Sequence, residues 1–259
     1  HLADDFPALP GTRIIEVTFP LNDAFDPLAW LTAQPVWPQF YWQQRSGREE
    51  IAALGAVHLF SSLAQANDFL ATQERDDIRL CGVNAFDPQQ GMLFLPRLAW
   101  RREAGRATLR LYLSSETSLQ QDAERARTCL AALCADHTPT ELALQQEGEA
   151  HLPDKAGWCQ MIQQATQAIR RGEFSKVVLA RATDLLFSRA PHAGALMAAS
   201  RRVNFSCYHF YMAFDAQRTF LGSSPERLWR RRGLHLDTEA LAGTVAGHSD
   251  DATAQRLGD

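Results

Sequence analysis

Short apolar stretches bounded by Gly, Pro or Asp recur along the first half of the chain. Several are rich in β-branched or aromatic residues, a composition typical of strands. Strands are predicted at 13–19, 39–44, 51–60, 79–85, 92–100 and 108–113. Apolar residues spaced by three and four, beginning with Leu119 and Ala123, predict a helix at 116–135. A shorter helix is predicted at 63–72.

The second half continues as a mixture of helices and strands. A helix begins after Pro153, and Gly172 is placed to end it, because glycine adopts the left-handed conformation at a helix C-terminus at little cost. Further helices are predicted at 191–202 and 250–259. Strands are predicted at 174–187, 207–214, 219–221, 226–231 and 234–245. Runs of strands with helices outside them predict an α+β fold, in which β-sheets pack on one another.

Composition narrows the classes of function. The 259 residues are 46% hydrophobic, enough for a sizeable core, and their net charge of −4 gives no overall attraction to nucleic acid or to an anionic membrane. No stretch approaches the roughly 20 apolar residues of a membrane span, and the first residues lack the pattern of a secretory signal. The five cysteines have no C-x-x-C spacing and read as free thiols. We therefore expect a cytoplasmic protein with no nucleic-acid or membrane partner.

Lys176 is the first candidate for a chemical role. It lies in the predicted strand at 174–187, on the same face as Phe174 and Val178. Removal of water from around a lysine disfavours its charged form, so this position would lower the pKa of Lys176. A lysine acts as a general base near neutral pH when its pKa falls from about 10.4 to roughly 7–8. The alternative is that Lys176 extends into solvent from an edge strand or pairs with a carboxylate.

The second candidate is Glu226, in the segment Gly-Ser-Ser-Pro-Glu-Arg at 222–227. Pro225 restricts the residue before it to extended conformations, so the turn that presents Glu226 is expected to be stiff. Apolar neighbours on both sides would raise the pKa of the carboxyl group and keep it protonated, as a general acid requires. Alternatively, Glu226 is a turn residue that pairs with Arg227 or Arg230.

A third segment, 238–244, is rich in small residues, which let the backbone approach a ligand. The amides of Gly243 and Thr244, with the Thr244 hydroxyl, are suited to holding a carboxylate. Close packing between strands requires the same small residues, so the segment alone favours neither interpretation. Elsewhere the eight histidines lack metal-ligand spacing, and the chain has neither a nucleophile elbow nor a phosphate-binding glycine-rich loop.

In chain order, the segments 174–181, 222–227 and 241–244 resemble the signature motifs of the chorismate-utilising enzymes. The segments 38–45 and 84–88 resemble the isochorismate synthases of the menaquinone pathway within that family. The resemblance runs along the whole chain and corresponds to about the first three-fifths of a family member. It implies the family's α+β fold and a single, incomplete domain. Within that domain the resemblance assigns 1–150 to a scaffold part and 151–259 to the beginning of the chorismate-binding catalytic part.

The resemblance implies a reversible, Mg²⁺-dependent conversion of chorismate to isochorismate, in which water adds at ring carbon 2 and the hydroxyl at carbon 4 leaves. Lys176 matches the general base of the family, Glu226 matches the general acid, and Gly243 and Thr244 match positions that contact the substrate. Members that use ammonia generally carry another residue at the lysine position. Lys176 therefore implies water as the nucleophile and no amidotransferase subunit, and a monomer is expected.

The metal is the main departure from the family pattern. The family's two Mg²⁺-binding glutamates lie beyond Asp259, so no metal ligand is assigned to this chain. Because Mg²⁺ requires near-octahedral oxygen ligation, we expect the 259 residues to be the first part of a longer enzyme and to be inactive alone. Two alternatives remain. One is a salicylate synthase of the same family, which keeps the lysine, and the other is a naturally truncated protein that binds a ligand or partner without catalysis.

Overall fold

The computed structural model describes residues 6–22, 24–87, 89–135 and 144–241. The chain divides into two compact units, one formed by 1–139 with 197–259 and the other by 140–196. The elements confirm the predicted α+β fold. Strands from both sides of residue 150 join the first unit's sheet. The assignment of 1–150 and 151–259 to two parts of one incomplete domain stays a prediction.

Twelve strands and five helices are described. In chain order they are β1 (Gly11–Pro20), α1 (Pro27–Thr32), β2 (Gln39–Gln43), β3 (Glu50–Phe60), α2 (Leu63–Ala71), β4 (Cys81–Asn84), β5 (Gly91–Glu103), β6 (Arg106–Ser115), α3 (Leu119–Ala131), β7 (Gln146–Leu152), α4 (Lys155–Arg170), β8 (Ala182–Phe187), α5 (Ala193–Val203), β9 (Tyr208–Ala213), β10 (Thr219–Ser224), β11 (Arg230–Arg232) and β12 (His235–Asp237). None of the described helices is long and apolar enough to cross a membrane.

An eight-stranded antiparallel sheet forms the centre of the first unit. Its strands follow the order β1-β6-β5-β3-β2-β9-β10, and β4 also pairs with β5. Strand β9 lies against β2, with Phe210 opposite Trp42 and Tyr211 opposite Tyr41. A sheet built by the first half of the chain is thereby extended by strands from the second half, and β10 brings the 222–227 segment to its edge.

Apolar side chains of this sheet form a buried core against the helices. Its buried members are Ala53, Ile78, Cys81, Phe94, Leu95, Ala99, Tyr112 and Met212. Helix α3 packs on β6 and begins where the Ser118 hydroxyl accepts a hydrogen bond from the Gln121 N–H at 3.3 Å. A serine in this position satisfies a backbone donor that the helix itself leaves unpaired.

A buried ion pair joins α3 to the sheet. Arg97 on β5 donates from Nη1 and Nη2 to the two carboxylate oxygens of Asp122, at 2.8 and 2.6 Å. Arg97 also donates to the Tyr112 carbonyl oxygen at 2.8 Å, and Asp122 accepts from the Ser114 N–H at 2.9 Å. The two charged side chains are 6% and 2% exposed. The attraction between the two charges therefore offsets the free-energy cost of removing each of them from water.

The second unit contains the antiparallel pair β7–β8 and helix α4. Helix α4 begins at a cap in which Asp154 accepts from the Gly157 N–H at 2.8 Å. It ends as predicted at Gly172, which has a φ of +74°. Both boundaries follow from local chemistry, since a side-chain acceptor starts the helix and a glycine permits its left-handed end.

Three predicted strands are shorter than expected among the described residues. The strand predicted at 174–187 is reduced to β8 and the one at 226–231 to β11. Of the strand predicted at 234–245, residues 234–241 are described and contain only β12. Residues 174–181 pair with no strand among the described residues, and a strand needs hydrogen-bonding partners for its backbone. The sequence analysis did not predict α1 or β7, and the helix predicted at 250–259 lies outside the described residues.

Gly82 marks a close approach of β4 to β5. Its φ is +153°, and a Cβ added there would lie 2.1 Å from the Met92 carbonyl oxygen and 2.6 Å from Leu93 Cα. We expect Gly82→Ala to lower the free energy of unfolding by about 1–3 kcal/mol, because backbone strain is added to a clash. Chemical denaturation measures this. Gly105→Ala is the control, since Gly105 has a φ of +79° but open space around it, and equal losses in both variants would contradict the clash.

Candidate active site

Strand β10 carries the first residues of the 222–227 segment and pairs with β9. Gly222 lies opposite Phe210, and a Cβ added at 222 would be 2.6 Å from the Phe210 Cζ atom. The Phe210 ring also contacts Phe220, with ring centroids 5.3 Å apart. Glycine in this motif is therefore explained by the close approach of an aromatic ring.

Ser223 fixes β10 to its neighbours. Its hydroxyl lies 2.7 Å from Nδ1 of His209 on β9 and 2.8 Å from the Ser200 hydroxyl on α5. His209 is buried, and burial, followed by the positive charge of Arg201, lowers the pKa of its imidazole. A neutral histidine, together with two hydroxyls, thus holds the strand that leads to Glu226.

Glu226 lies in a tight turn directly after β10. Its N–H donates to the Ser224 hydroxyl at 3.3 Å, and that hydroxyl donates to the Glu226 carbonyl oxygen at 3.1 Å. The Glu226 side chain is exposed, so the predicted apolar enclosure is wrong for the described structure. Within the described residues, its carboxylate takes part in no hydrogen bond or ion pair.

The arginines near Glu226 pair with other carboxylates. Arg227 lies 2.9 Å from Glu239, and Arg230 lies 2.8 Å from Glu49. The alternative in which Glu226 pairs with Arg227 or Arg230 is therefore wrong. The turn leaves this carboxylate available to a ligand.

Glu226 borders a cleft of about 440 Å³. Four aromatic side chains and four polar ones line it, namely Trp42, Tyr208, Phe210, Trp229, Ser224, Glu226, Arg227 and Arg230. The rings of Trp42 and Tyr208 are stacked, with centroids 5.9 Å apart and an interplanar angle of 26°. A cleft of this size, with apolar walls and a few polar groups, is typical of a small-molecule site.

Glu239, from the segment 238–244, lies beside the turn that contains Glu226. It accepts from Arg45 at 3.1 and 3.2 Å through both carboxylate oxygens and pairs with Arg227. The Arg45 guanidinium lies 5.5 Å from the centroid of the Tyr208 ring. The structure thus brings the beginning of 238–244 next to 222–227. Gly243 and Thr244 themselves lie outside the described residues.

Lys176 belongs to the other compact unit, in the stretch between α4 and β8. Its side chain is exposed, and Val178 on the same predicted face is 82% exposed. The predicted burial of Lys176 on an apolar face is therefore wrong for the described residues, because no strand pairs with 174–181 there. The alternative of pairing with a carboxylate is also not observed within the described part of the chain.

Mg²⁺ has no fitting site in this part of the chain. Among the described residues, no group of three or more His, Cys, Asp or Glu side chains lies close enough together to hold a metal ion. A resident Mg²⁺ needs several oxygen ligands at near-octahedral positions.

Sequence reasoning did not single out the aromatic walls of the cleft or the pair of Arg45 and Glu239. Tyr208 and Phe210 are two residues apart on one strand, so a common face could have been read from the sequence. Glu239 is the one charged residue in 238–244, which is also visible in the sequence. Its arginine partners are distant along the chain, and sequence spacing does not reveal them.

Comparison with known proteins places the chain among enzymes that bind chorismate. The profile of a family described as "Chorismate binding enzyme" matches residues 8–259. The isochorismate synthase MenF of Escherichia coli strain K12 is 58% identical over 260 residues, covering 100% of this chain and 60% of that protein. The protein of the same name from Pasteurella multocida is 35% identical, covering 91% of this chain and 53% of that protein.

A solved structure of the Escherichia coli protein, described as the menaquinone-specific isochorismate synthase, superposes with a TM-score of 0.92. The superposition covers 100% of this chain and 60% of that structure. The chain therefore spans about three-fifths of the relatives' length at most, and the fold of those three-fifths is shared.

Proposed function

Because the chain belongs to the family of chorismate-binding enzymes, we propose that the complete protein catalyses the reversible conversion of chorismate to isochorismate. The observation that carries this proposal is the 58% identity over the whole chain to an isochorismate synthase. Glu226 supports it, since its carboxylate, unpaired among the residues that the structure describes, borders a cleft large enough for a small ring compound. The aromatic walls offer apolar faces to such a ring, and Arg227 and Arg230 place guanidinium groups beside it.

The reaction exchanges one hydroxyl for another, so its atoms balance without a further reactant. A water molecule loses a proton and its oxygen bonds to ring carbon 2, the ring double bonds shift, and the carbon 4–oxygen bond breaks. Glu226 is proposed to donate a proton to the departing hydroxyl, which leaves as water. Among the described residues no arginine competes for the Glu226 side chain, because Arg227 and Arg230 bind other carboxylates. A general acid must be protonated before it donates, so Glu226 needs a less aqueous environment in the working enzyme than its exposed position here.

Lys176 is proposed to accept the proton of the attacking water. Support comes from the motif match at 174–181 and from the side chain itself, which forms no hydrogen bond or ion pair with the described residues. A general base must be neutral before it accepts a proton, so Lys176 needs a less aqueous environment in the working enzyme than it has here. Gly243 and Thr244 remain proposed contacts to the substrate.

We also propose a metal requirement, a pathway, a cellular location and an oligomeric state for the enzyme. We propose that the complete protein requires Mg²⁺ and that its ligands lie outside the residues described. The relative's description as menaquinone-specific supports a role in menaquinone biosynthesis. With water as the nucleophile, no ammonia-supplying subunit is needed. A cytoplasmic monomer is proposed.

Turnover of chorismate by the complete protein tests the function. With Mg²⁺ present, we expect chorismate to be consumed and isochorismate to accumulate, with product identity established by NMR. Formation of salicylate and pyruvate would instead assign the protein to the salicylate synthases. A folded protein that binds chorismate without converting it would overturn the enzymatic proposal and favour a binding role.

The 259 residues by themselves are proposed to be inactive. We expect the same assay to show no conversion by this chain, even at Mg²⁺ concentrations that saturate the complete protein. The reason is that the described residues form no group able to hold the metal. Measurable conversion by residues 1–259 would contradict the proposed location of the Mg²⁺ ligands.

A further inference from the structure

The turn that contains Glu226 is held on one side by Glu239 and on the other by Arg45, which is itself bound to Glu239. Before Glu226, the Pro225 carbonyl oxygen accepts from Arg45 Nη1 at 3.1 Å. After it, the Arg227 N–H donates to Glu239 Oε2 at 3.3 Å. Because Arg45 and Arg227 both bind Glu239, the two backbone contacts depend on the same side chain.

These contacts form a connected network. Arg45 and Glu239 make a two-pronged pair, with Nη1 to Oε2 at 3.1 Å and Nη2 to Oε1 at 3.2 Å. Arg227 Nη2 lies 2.9 Å from Oε1, and the Tyr208 hydroxyl donates to the same oxygen at 3.4 Å. The Glu239 side chain is only 14% exposed. A two-pronged pair in a partly buried network fixes geometry more firmly than an isolated surface pair.

From this geometry we infer that Glu239, through Arg45 and Arg227, is a positioning residue that sets where the Glu226 carboxyl group stands. The inference rests on the proposed function, in which Glu226 donates a proton. Glu239 does not itself line the cleft, and its four side-chain and backbone partners occupy the carboxylate. Its effect on the reaction therefore passes through the turn, and we name Glu239, Arg45 and Arg227 the Glu239 clamp.

Glu239→Gln in the complete protein tests the clamp kinetically. The amide keeps the size of the side chain but loses its charge, so both arginine pairs weaken. We expect kcat for chorismate to fall about tenfold with KM changed less than twofold, because misplacement of a proton donor affects the transition state more than substrate binding. In a Glu226→Gln background, Glu239→Gln should cause no further loss of kcat.

That second comparison separates positioning from general damage. If Glu239 only stabilised the fold, its substitution would lower kcat by the same factor whether or not Glu226 is present. Equal factors in the two backgrounds would overturn the inference. Arg45→Lys is the second variant, since it keeps the positive charge but removes the two-pronged pair. We expect a smaller loss of kcat in the same direction, so the test does not depend on the folding of one variant.

Glu49 offers a matched control. It also binds two arginines through one carboxylate, with Arg230 at 2.8 Å and Arg232 at 3.0 Å, and its side chain is 20% exposed. No hydrogen bond described here connects Glu49 to the backbone of 225–227. Because its partner Arg230 lines the cleft, Glu49→Gln is expected to change KM rather than kcat, and kcat should stay within twofold of the unmodified protein. A tenfold loss of kcat in this variant as well would show that breaking any arginine pair in the region lowers kcat. The inferred positioning role of the Glu239 clamp would then be wrong.

Hydrogen exchange gives a readout that is independent of catalysis. The amide of Arg227 is protected by Glu239, so exchange at the Arg227 amide should become faster in Glu239→Gln and stay unchanged in Glu49→Gln. Unchanged exchange in Glu239→Gln would overturn the clamp. If exchange becomes faster but Glu226→Gln retains normal turnover, the clamp stands as a structural device and the proposed role of Glu226 falls. The two failures are thus distinguishable.

Discussion

Asp122→Ala is expected to lower the free energy of unfolding by about 3–5 kcal/mol. The substitution leaves the Arg97 guanidinium buried without its counter-charge, and the Ser114 N–H loses its acceptor. A buried charge left without its partner is costly. The measurement is chemical denaturation of the complete protein, with separate probes for its compact units, because a single transition is not assured in a chain of this size.

Glu124 on the same helix supplies the control. It pairs with Arg127 at 2.8 Å, one turn along α3, but the two side chains are 49% and 68% exposed. We expect Glu124→Ala to cost no more than about 0.5 kcal/mol, because water replaces the lost partner. If the two substitutions had similar costs, burial would not be what gives the Arg97–Asp122 pair its importance. Replacement of Arg97 and Asp122 together by apolar residues should recover part of the loss.

Local pattern was sufficient to predict most of the sheet and four of the five described helices. The strands from β1 to β6 fall within a few residues of their predicted bounds, because β-branched or aromatic residues bounded by Gly, Pro or Asp mark several of them locally. Helix α1 was not predicted because six residues carry too little periodicity. Strand β7 was not predicted because its mostly polar residues are largely exposed and show no alternation. The Arg97–Asp122 pair could not be predicted from the sequence either, because the two residues are 25 positions apart and meet only in the folded chain.

In the candidate site, too, the features set by neighbouring residues could be predicted, and the features set by residues distant in sequence could not. The turn at 222–227 was predicted because its glycine, serines and proline act on the backbone nearby. The unpaired state of Glu226 was not predictable, because it depends on Glu239 and Glu49 binding the neighbouring arginines. Likewise, whether 174–181 forms a strand depends on a partner strand, and no sequence pattern within the segment supplies one.

Glu226→Gln and Lys176→Ala in the complete protein are each expected to reduce turnover of chorismate by roughly 10²–10⁴, the usual contribution of a positioned acid or base. Glutamine preserves the shape of Glu226 but has no proton of comparable acidity to donate. In Glu226→Gln, the part of the pH–turnover profile that depends on a protonated carboxyl group should also disappear. Steady-state kinetics with purified product standards measures both effects.

Loss of catalysis and loss of stability can be separated in these two variants, because neither side chain supports the fold of the residues described. Both are exposed and form no hydrogen bond or ion pair there, so their removal should change the free energy of unfolding by no more than about 0.5 kcal/mol. A loss of turnover at unchanged stability would therefore belong to the chemistry. Near-normal turnover in either variant would remove the role assigned to that residue. A marked loss of stability for Lys176→Ala would instead reveal a structural lysine.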